Sequence, residues 1–209
     1  MNPTIVIVDY GAGNLRSVEK AFERLGYPAV VSGEPDILLN ADGVILPGVG
    51  SSGSAMAALE ERGLVEPLVE KAEGGTPFFG VCLGLQLLMN GSDEDNRPCL
   101  GLFPGWVRRI PSGLKVPHMG WNRVHIKQEH PVFSGVDNDS YFYFVHSYYT
   151  DPTDDTLIVG TTDYGVKFCS VLASGNLIAT QFHPEKSGEI GLKLYENFVR
   201  MVILKEDLG

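Results

Sequence analysis

Short apolar, β-branched runs alternate with segments at helical period through the first half of this chain, and that order constrains the fold more than any other feature. Thr4-Ile5-Val6-Ile7-Val8 has no polar alternation, the pattern of a strand buried on both faces. Gly11-Ala12-Gly13 turns the chain. Asn14 then stands where a helix N-cap belongs, ahead of an apolar stripe at Leu15, Val18, Phe22 and Leu25 that stops at Gly26. Further strands are expected at Pro28–Val31, Gly43–Leu46 and Pro77–Val81, and helices at Ser54–Arg62, Leu64–Glu73 and Leu83–Met89. Strand and helix in alternation build a mostly parallel sheet with helices on both faces.

The second half changes character. Short β segments separated by turn residues follow one another: Trp106–Ile110, Arg123–Ile126, Tyr141–Tyr148, Leu157–Thr161, Lys167–Leu172 and Leu177–Gln181. Ser174-Gly175-Asn176 reads as a hairpin connection between the last two. A final helix at Ile190–Leu204 carries Leu194, Phe198, Val199 and Val202 on one side. No repeat, low-complexity tract or long linker divides the chain. The expectation is one α/β domain over residues 1–209: an open, mostly parallel, flavodoxin-like central sheet flanked by helices, with additional antiparallel strands.

Charge narrows the partners. Sixteen basic against 26 acidic residues leave a net charge of −10, and the only adjacent basic pair is Arg108-Arg109. A nucleic-acid surface needs clustered Lys and Arg, so no nucleic acid is expected. Asp93-Glu94-Asp95 reads as a solvated loop rather than a metal site. The three cysteines, Cys82, Cys99 and Cys169, are too few and too irregular for a disulfide framework. No apolar stretch approaches membrane-spanning length. A reducing, cytoplasmic location with no membrane association is expected.

In an open α/β sheet, ligands bind beyond the carboxyl ends of the parallel strands. Three segments fall there: Asp9–Asn14, Pro47–Gly50 and Gly80–Gly84. The last is Gly-x-Cys-x-Gly at a strand-to-helix junction, where flanking glycines permit a sharp turn that lifts Cys82 above the sheet. The start of the following helix supplies free N–H groups that favour a thiolate and an oxyanion. Cys99 and Cys169 have no such setting and read as inert. A thiol nucleophile needs a base. In Gln181-Phe182-His183-Pro184-Glu185, Pro184 pushes His183 towards an extended conformation, so His183 and Glu185 can share a face. Cys82, His183 and Glu185 then have the roles of nucleophile, base and orienting carboxylate. Pro47-Gly48-Val49-Gly50 is a glycine-rich turn whose N–H groups can cradle an anion. The histidines show no ligand spacing, so no metal is expected. Gly11–Arg16 places Arg16 where a dinucleotide loop needs glycine, so no such cofactor is expected either.

Gly80-Val81-Cys82-Leu83-Gly84-Leu85-Gln86 together with Phe182-His183-Pro184-Glu185 resembles the class I, triad-type glutamine amidotransferases. Asp9–Leu15, Pro47–Gly50, Pro117-His118-Met119-Gly120-Trp121-Asn122, Phe144–Tyr148 and His183–Ser187 resemble, in order, one branch of them, the glutaminase subunits of imidazole glycerol phosphate synthase. The resemblance implies that Cys82 attacks the side-chain amide of glutamine while His183 shuttles the proton and Glu185 holds His183. It implies oxyanion donors at the N–H groups of Val49 and Leu83, and glutamine contacts at Gly48, Gly50, Gln86, Ser147 and Tyr148. It also implies a partner, the (β/α)8 cyclase subunit of imidazole glycerol phosphate synthase, which consumes the ammonia in histidine biosynthesis. Tyr10, Asn14, His118, Met119, Trp121 and Asn122 are the candidate docking residues, and no cofactor is implied. Relatives often carry Ala-Phe or His-Phe where Ser51-Ser52 stand. Asn90–Asp95 likewise departs from the usual pattern.

Other readings of the same residues make different predictions. A paralogue feeding ammonia to surface-sugar amination shares every motif. The pyridoxal phosphate and anthranilate relatives do not explain His118–Asn122. A stand-alone thiol esterase or peptidase needs no partner and gives Gln86 no task. A non-catalytic binding module predicts an inert Cys82. If the Val49 N–H turns away from the site in the free subunit, hydrolysis waits for the loaded partner.

Overall fold

The computed structural model describes residues 3–11 and 14–204. In chain order the elements are β1 (Ile5–Val8), α1 (Leu15–Arg24), β2 (Val30–Ser32), α2 (Pro35–Leu39), β3 (Gly43–Gly48), α3 (Ser52–Glu61) and α4 (Val65–Glu73). Then come β4 (Phe78–Cys82), α5 (Leu83–Leu87), β5 (Met89–Ser92), β6 (Arg97–Pro98), β7 (Phe103–Arg109), β8 (His118–Ile126) and β9 (Ser140–His146). The chain continues with β10 (Tyr148–Pro152), β11 (Ile158–Asp163), β12 (Lys167–Ser174), β13 (Leu177–Thr180) and α6 (Gly188–Leu204).

The sheet runs β2-β1-β3-β4-β13-β12-β10-β7-β5-β6. Its first five strands are parallel. β12 turns the direction by pairing antiparallel with β13, and β8, β9 and β11 form an antiparallel extension off β12. Each β1 residue is buried, Ile5 and Ile7 towards one face and Val6 and Val8 towards the other. On the first face they pack with Phe22 of α1 and Tyr195 and Phe198 of α6, on the second with Leu59, Leu64 and Leu68 of α3 and α4. That two-sided burial is what an unbroken apolar strand requires.

Several expected boundaries move. The helix after Cys82 ends at Leu87, because Met89–Ser92 pairs as a strand with β7 and β6. The expected strand at Tyr141–Tyr148 breaks at Ser147 into β9 and β10, which pair with different neighbours. β8 begins five residues before the expected Arg123, at His118. The acidic run is not a merely solvated loop. Glu94 Oε2 accepts the Ser52 N–H at 2.9 Å and Asp95 Oδ2 accepts the Gly53 N–H at 2.8 Å, so two carboxylates close the positive end of α3 beside the Ser51 cap.

Register sets the site. Gly48 of β3 lies opposite Cys82 of β4, and Thr180 of β13 lies opposite Val81. Three adjacent parallel strands therefore deliver the Pro47–Gly50 turn, Cys82 and the Gln181-Phe182-His183 segment to one edge.

Candidate active site

β4 runs into α5 with no residue between, and Cys82 takes the turn at φ 56°, ψ −104°. A non-glycine residue held there stores on the order of 1–3 kcal/mol and persists only when its surroundings enforce it. The glycines explain the enforcement. A Cβ on Gly84 would lie 1.9 Å from the Leu46 carbonyl oxygen, and one on Gly80 would lie 3.1 Å from both Ala179 Cβ and the Gly84 backbone. α5 is little more than one turn long, so what it offers an anion is mainly the unpaired N–H groups of that turn. Gly48 is as constrained, since a Cβ there would meet the Tyr10 hydroxyl at 2.4 Å and Leu83 Cβ at 2.9 Å.

His183 leaves β13 in extended conformation, and Glu185 sits in the 3-10 turn Pro184–Lys186. The two share a face, with His183 Nδ1 2.8 Å from Glu185 Oε1 and both side chains shielded from solvent. The carboxylate fixes the tautomer, keeping the proton on Nδ1 and leaving Nε2 as the acceptor on the far side of the ring. Nε2 is buried and has no hydrogen-bond partner. Burial works against the imidazolium. A thiolate at Cys82, with Glu185 behind the ring, outweighs it and holds the His183 pKa well above its ordinary value. The Pro184–Lys186 turn is tied to β9: the His183 N–H donates to the Tyr143 carbonyl at 2.9 Å, the Ser187 hydroxyl to the His183 carbonyl at 2.7 Å, and the Tyr143 N–H to Ser187 Oγ at 3.0 Å.

Beside Cys82 opens a cleft of about 240 Å³, lined by Val49, Gly50, Leu83, Gln86, Glu94, Ser147 and Tyr148, with His146 at its wall. Of the expected substrate contacts, Gly50, Gln86, Ser147 and Tyr148 line this cleft, and Gly48 lies opposite Cys82 in the β3–β4 register without lining it. Gln86 is committed in part: its Nε2 donates to the Tyr148 carbonyl at 2.9 Å and to Gln181 Oε1 at 3.1 Å. That leaves only its carbonyl oxygen for a ligand. A free acceptor there suits a ligand N–H and repels a carboxylate.

The docking candidates separate. Met119 and Trp121 are 61% and 56% exposed, and Trp121 meets Tyr143 edge-on at 6.1 Å. Asn122 is half-buried. His118 and Tyr10 are corrections to the expectation, because both side chains lie below the surface at 3% and 2% exposure. His118 points inward where Met119 points outward, as period-two geometry requires. Asn14 is corrected twice. Its φ of 78° is left-handed and its side chain caps nothing in α1; instead Nδ2 donates to Glu185 Oε1 at 2.5 Å. Ala12 and Gly13, part of the expected turn, lie outside the described residues.

Tyr195 and Gln181 have no site role in the sequence reading, and Asn14 has a different one there. Asn14 and Tyr195, whose hydroxyl reaches Glu185 Oε2 at 3.3 Å, complete the carboxylate's hydrogen bonds from 171 and 10 residues away. Burial, then the Glu185 charge, pushes the Tyr195 phenol up. Gln181 was passed over although it stands two residues before His183, the spacing that shares a face in extended chain. Among the described residues no three His, Cys, Asp or Glu side chains cluster as metal ligands, and no helix is long and apolar enough to cross a membrane.

His118 and His146 form a buried pair, Nδ1 to Nε2 at 2.8 Å, and His146 Nδ1 lies 2.8 Å from the Tyr148 carbonyl. Since a carbonyl only accepts, His146 carries its proton on Nδ1 and accepts from His118. Burial lowers the pKa to about 3 in His146 and about 4 in His118, and lowers that of His130. His118 and His146 stay neutral when folded and take a proton when unfolded below pH 6.5. Their contribution to stability is therefore complete above pH 6.5 and falls as the pH drops towards 4, by up to about 1.4 kcal/mol per pH unit for each of these two rings. His183 adds nothing to this slope, because its raised pKa leaves it protonated in both states below pH 6.5. Urea midpoints measured from pH 6.5 to 5.0 are expected to fall steadily; a flat series would remove this account.

Comparison with known proteins gives one consistent set. The sequence pattern of the family described as glutamine amidotransferase class-I matches residues 6–202. The imidazole glycerol phosphate synthase subunit HisH of Dehalococcoides mccartyi is 49% identical over 200 residues, covering 95% of this chain and 98% of its own length. The subunits of the same name from Moorella thermoacetica and Methanothermobacter thermautotrophicus are 50% and 52% identical over 199 residues, covering 95% of this chain and 95% and 98% of their own lengths. Among solved structures, PurLQS from Thermotoga maritima superposes with a TM-score of 0.78 at 22% identity, covering 96% of this chain and 99% of that one. A structure described as a glutamine amidotransferase does so with 0.76 at 19%, covering 95% and 98%. At those identities the structural likeness concerns the fold.

Proposed function

The chain belongs to the class I glutamine amidotransferase family, in its imidazole glycerol phosphate synthase HisH branch, and on that premise we propose that it hydrolyses glutamine and passes the ammonia to a separate cyclase subunit. The observation that carries this is Cys82 on its strained turn, beside the buried His183–Glu185 pair and at the mouth of a cleft sized for one amino acid.

The geometry gives each residue a step. Cys82 Sγ attacks the side-chain amide carbon of glutamine, and the negative charge that develops on oxygen meets the N–H groups of Leu83 and Val49. A single such donor is worth about 3–4 kcal/mol of transition-state stabilisation. His183 Nε2, held as imidazolium by the thiolate before it, hands its proton to the amide nitrogen as the C–N bond breaks. Ammonia leaves and a glutamyl thioester remains. His183 then takes a proton from water, hydroxide adds to the thioester carbon, and glutamate departs as the sulfur is expelled, restoring the thiolate–imidazolium pair. Gly48, Gly50, Gln86, Ser147 and Tyr148 hold the substrate, Gln86 through its free carbonyl oxygen.

The cyclase subunit of imidazole glycerol phosphate synthase docks on the face where Met119 and Trp121 stand out, with Asn122 beside them. An exposed methionine and indole on one strand are the side chains that interface cores favour. This face connects to the base through β9, whose Tyr143 accepts the His183 N–H. The products are imidazole glycerol phosphate and aminoimidazole carboxamide ribotide, placing the chain in histidine biosynthesis, as one domain over residues 1–209 in the cytoplasm, where its three free thiols stay reduced.

Glutamate release by the purified chain, alone and with the cyclase subunit plus its nucleotide ligand, tests the proposal. Stimulation of about 10–100-fold is expected, the range of an ordinary coupling energy. An equally fast rate in the isolated chain would remove partner control. No glutamate under either condition, from folded protein with a free thiol, would overturn the assignment to this pathway.

A further inference from the structure

Gln181 is fully buried one residue past β13, its backbone N–H bonded to the Ser170 carbonyl at 2.9 Å, and its Nε2 points at Cys82 Sγ from 3.7 Å. The orientation of this amide follows from its neighbours. The Tyr148 carbonyl only accepts, so Gln86 must present its NH2 there, at 2.9 Å. The second hydrogen of that NH2 meets Gln181 Oε1 at 3.1 Å. The oxygen of Gln181 is thereby occupied and its own NH2 is turned towards the sulfur. His146 Nδ1, bonded to the same Tyr148 carbonyl, fixes the far end of the chain. Apart from the Gln86 carbonyl oxygen, the groups in this sequence of contacts are committed, and its end beside the nucleophile is an N–H aimed at the sulfur.

We propose that Gln181 is a catalytic residue that holds Cys82 as thiolate by hydrogen-bond donation to Sγ. Gln181 and His183 flank the nucleophile from the same segment, across the bend at Gln181 and Phe182 that follows β13. When water hydrolyses the thioester the sulfur leaves as an anion, and the Gln181 amide is a donor to that anion that does not titrate. A hydrogen bond to a charged acceptor is stronger than one to a neutral group.

The proposal rests on Cys82 being the nucleophile, and one experiment separates the two. Iodoacetamide alkylation, with the modified cysteine located by mass spectrometry, reads thiolate reactivity without glutamine or partner, because the thiolate is the reacting species. In the wild-type chain Cys82 is expected to react ahead of Cys99 and Cys169; if it does not, the nucleophile reading itself fails. Given that reactivity, Gln181→Met, which keeps the length but removes the donor, is expected to alkylate about 10-fold more slowly at pH 7, with the pH midpoint moved up by about one unit. Gln181→Glu, near-isosteric, sets a carboxylate against the sulfur and is expected to move it further. An unchanged rate and midpoint in either folded variant would overturn the proposal. Should neither variant fold, the side-chain NH2 signal of Gln181 in the wild-type chain decides: it is expected to shift when Cys82 is capped as a methyl disulfide, and no shift would count against the contact.

Discussion

Cys82→Ala is expected to abolish glutamate release in the presence of the cyclase subunit and its nucleotide ligand, by a factor of about 10⁴–10⁶, the loss that follows removal of a covalent nucleophile. No other side chain is available to substitute. Ser147 is the remaining hydroxyl in the same cleft apart from Tyr148, and neither sits on the β4–α5 turn that carries Cys82 beside His183. Cys99 and Cys169 are set against the role by their surroundings, since burial pushes the Cys99 thiol up to about 11 and that of Cys169 up to about 12. Alanine fits the space of cysteine and carries the same Cβ through the strained turn, so the variant is expected to remain folded. Retention of more than about 1% of the partner-stimulated rate, with unchanged partner binding, would rule Cys82 out as nucleophile.

The second large effect is on folding rather than chemistry. Gly84→Ala is expected to cost more than about 4 kcal/mol or to leave no soluble protein. The added Cβ would sit 1.9 Å from the Leu46 carbonyl oxygen and 3.0 Å from its carbon. That carbonyl belongs to β3, paired on both sides in the sheet, so it cannot move without breaking the ladder with β1 or β4. Gly63→Ala provides the contrast. Gly63, unlike Gly84, has positive φ, at 64°, but nothing lies within 4 Å of its Cβ position, so only the left-handed backbone penalty of about 1–2 kcal/mol applies. Urea midpoints of the two variants should differ by at least the equivalent of about 2 kcal/mol. Equal midpoints would mean that α5 can slide away from β3 and that the close approach is not what the glycine serves.

The parts of the site that could be read without coordinates are those in which local chemistry and chain geometry suffice. Gly80–Gly84 declares a sharp turn under a thiol because the glycines and the junction are adjacent in sequence. His183 and Glu185 declare a shared face because proline and period-two geometry act over three residues. Fold class was legible for the same reason: β1, β3 and β4 are continuous apolar runs, and each reports its own two-sided burial. The helix expected at Leu83–Met89 failed at Met89 because a short apolar run suits either period, and pairing with β7 decided it.

Asn14 shows most directly where local reasoning stops. Its position ahead of an amphipathic stripe is that of a helix cap, and a hydrogen bond to its own helix was the local option. Glu185, 171 residues away, offers a buried charged acceptor, and a bond to a charge outweighs a bond to a neutral amide. Asp93, Glu94 and Asp95 behave alike. A run of three charges reads as solvated until the positive end of α3 is folded against it. His118 reads as exposed beside Met119 and Trp121 until β9 pairs with β8 and His146 supplies the partner that lets an imidazole be buried. The residue types of the triad, the parallel sheet and the turn that lifts the thiol were thus determined by sequence alone, because each rests on sterics and periodicity over a few residues. The partners that orient the triad, Asn14 and Tyr195 on the carboxylate and Gln181 at the sulfur, were decided only by tertiary structure. Hydrogen bonds formed across the parallel strand ends depend on register and on competing acceptors, and neither is written at the position that makes the bond.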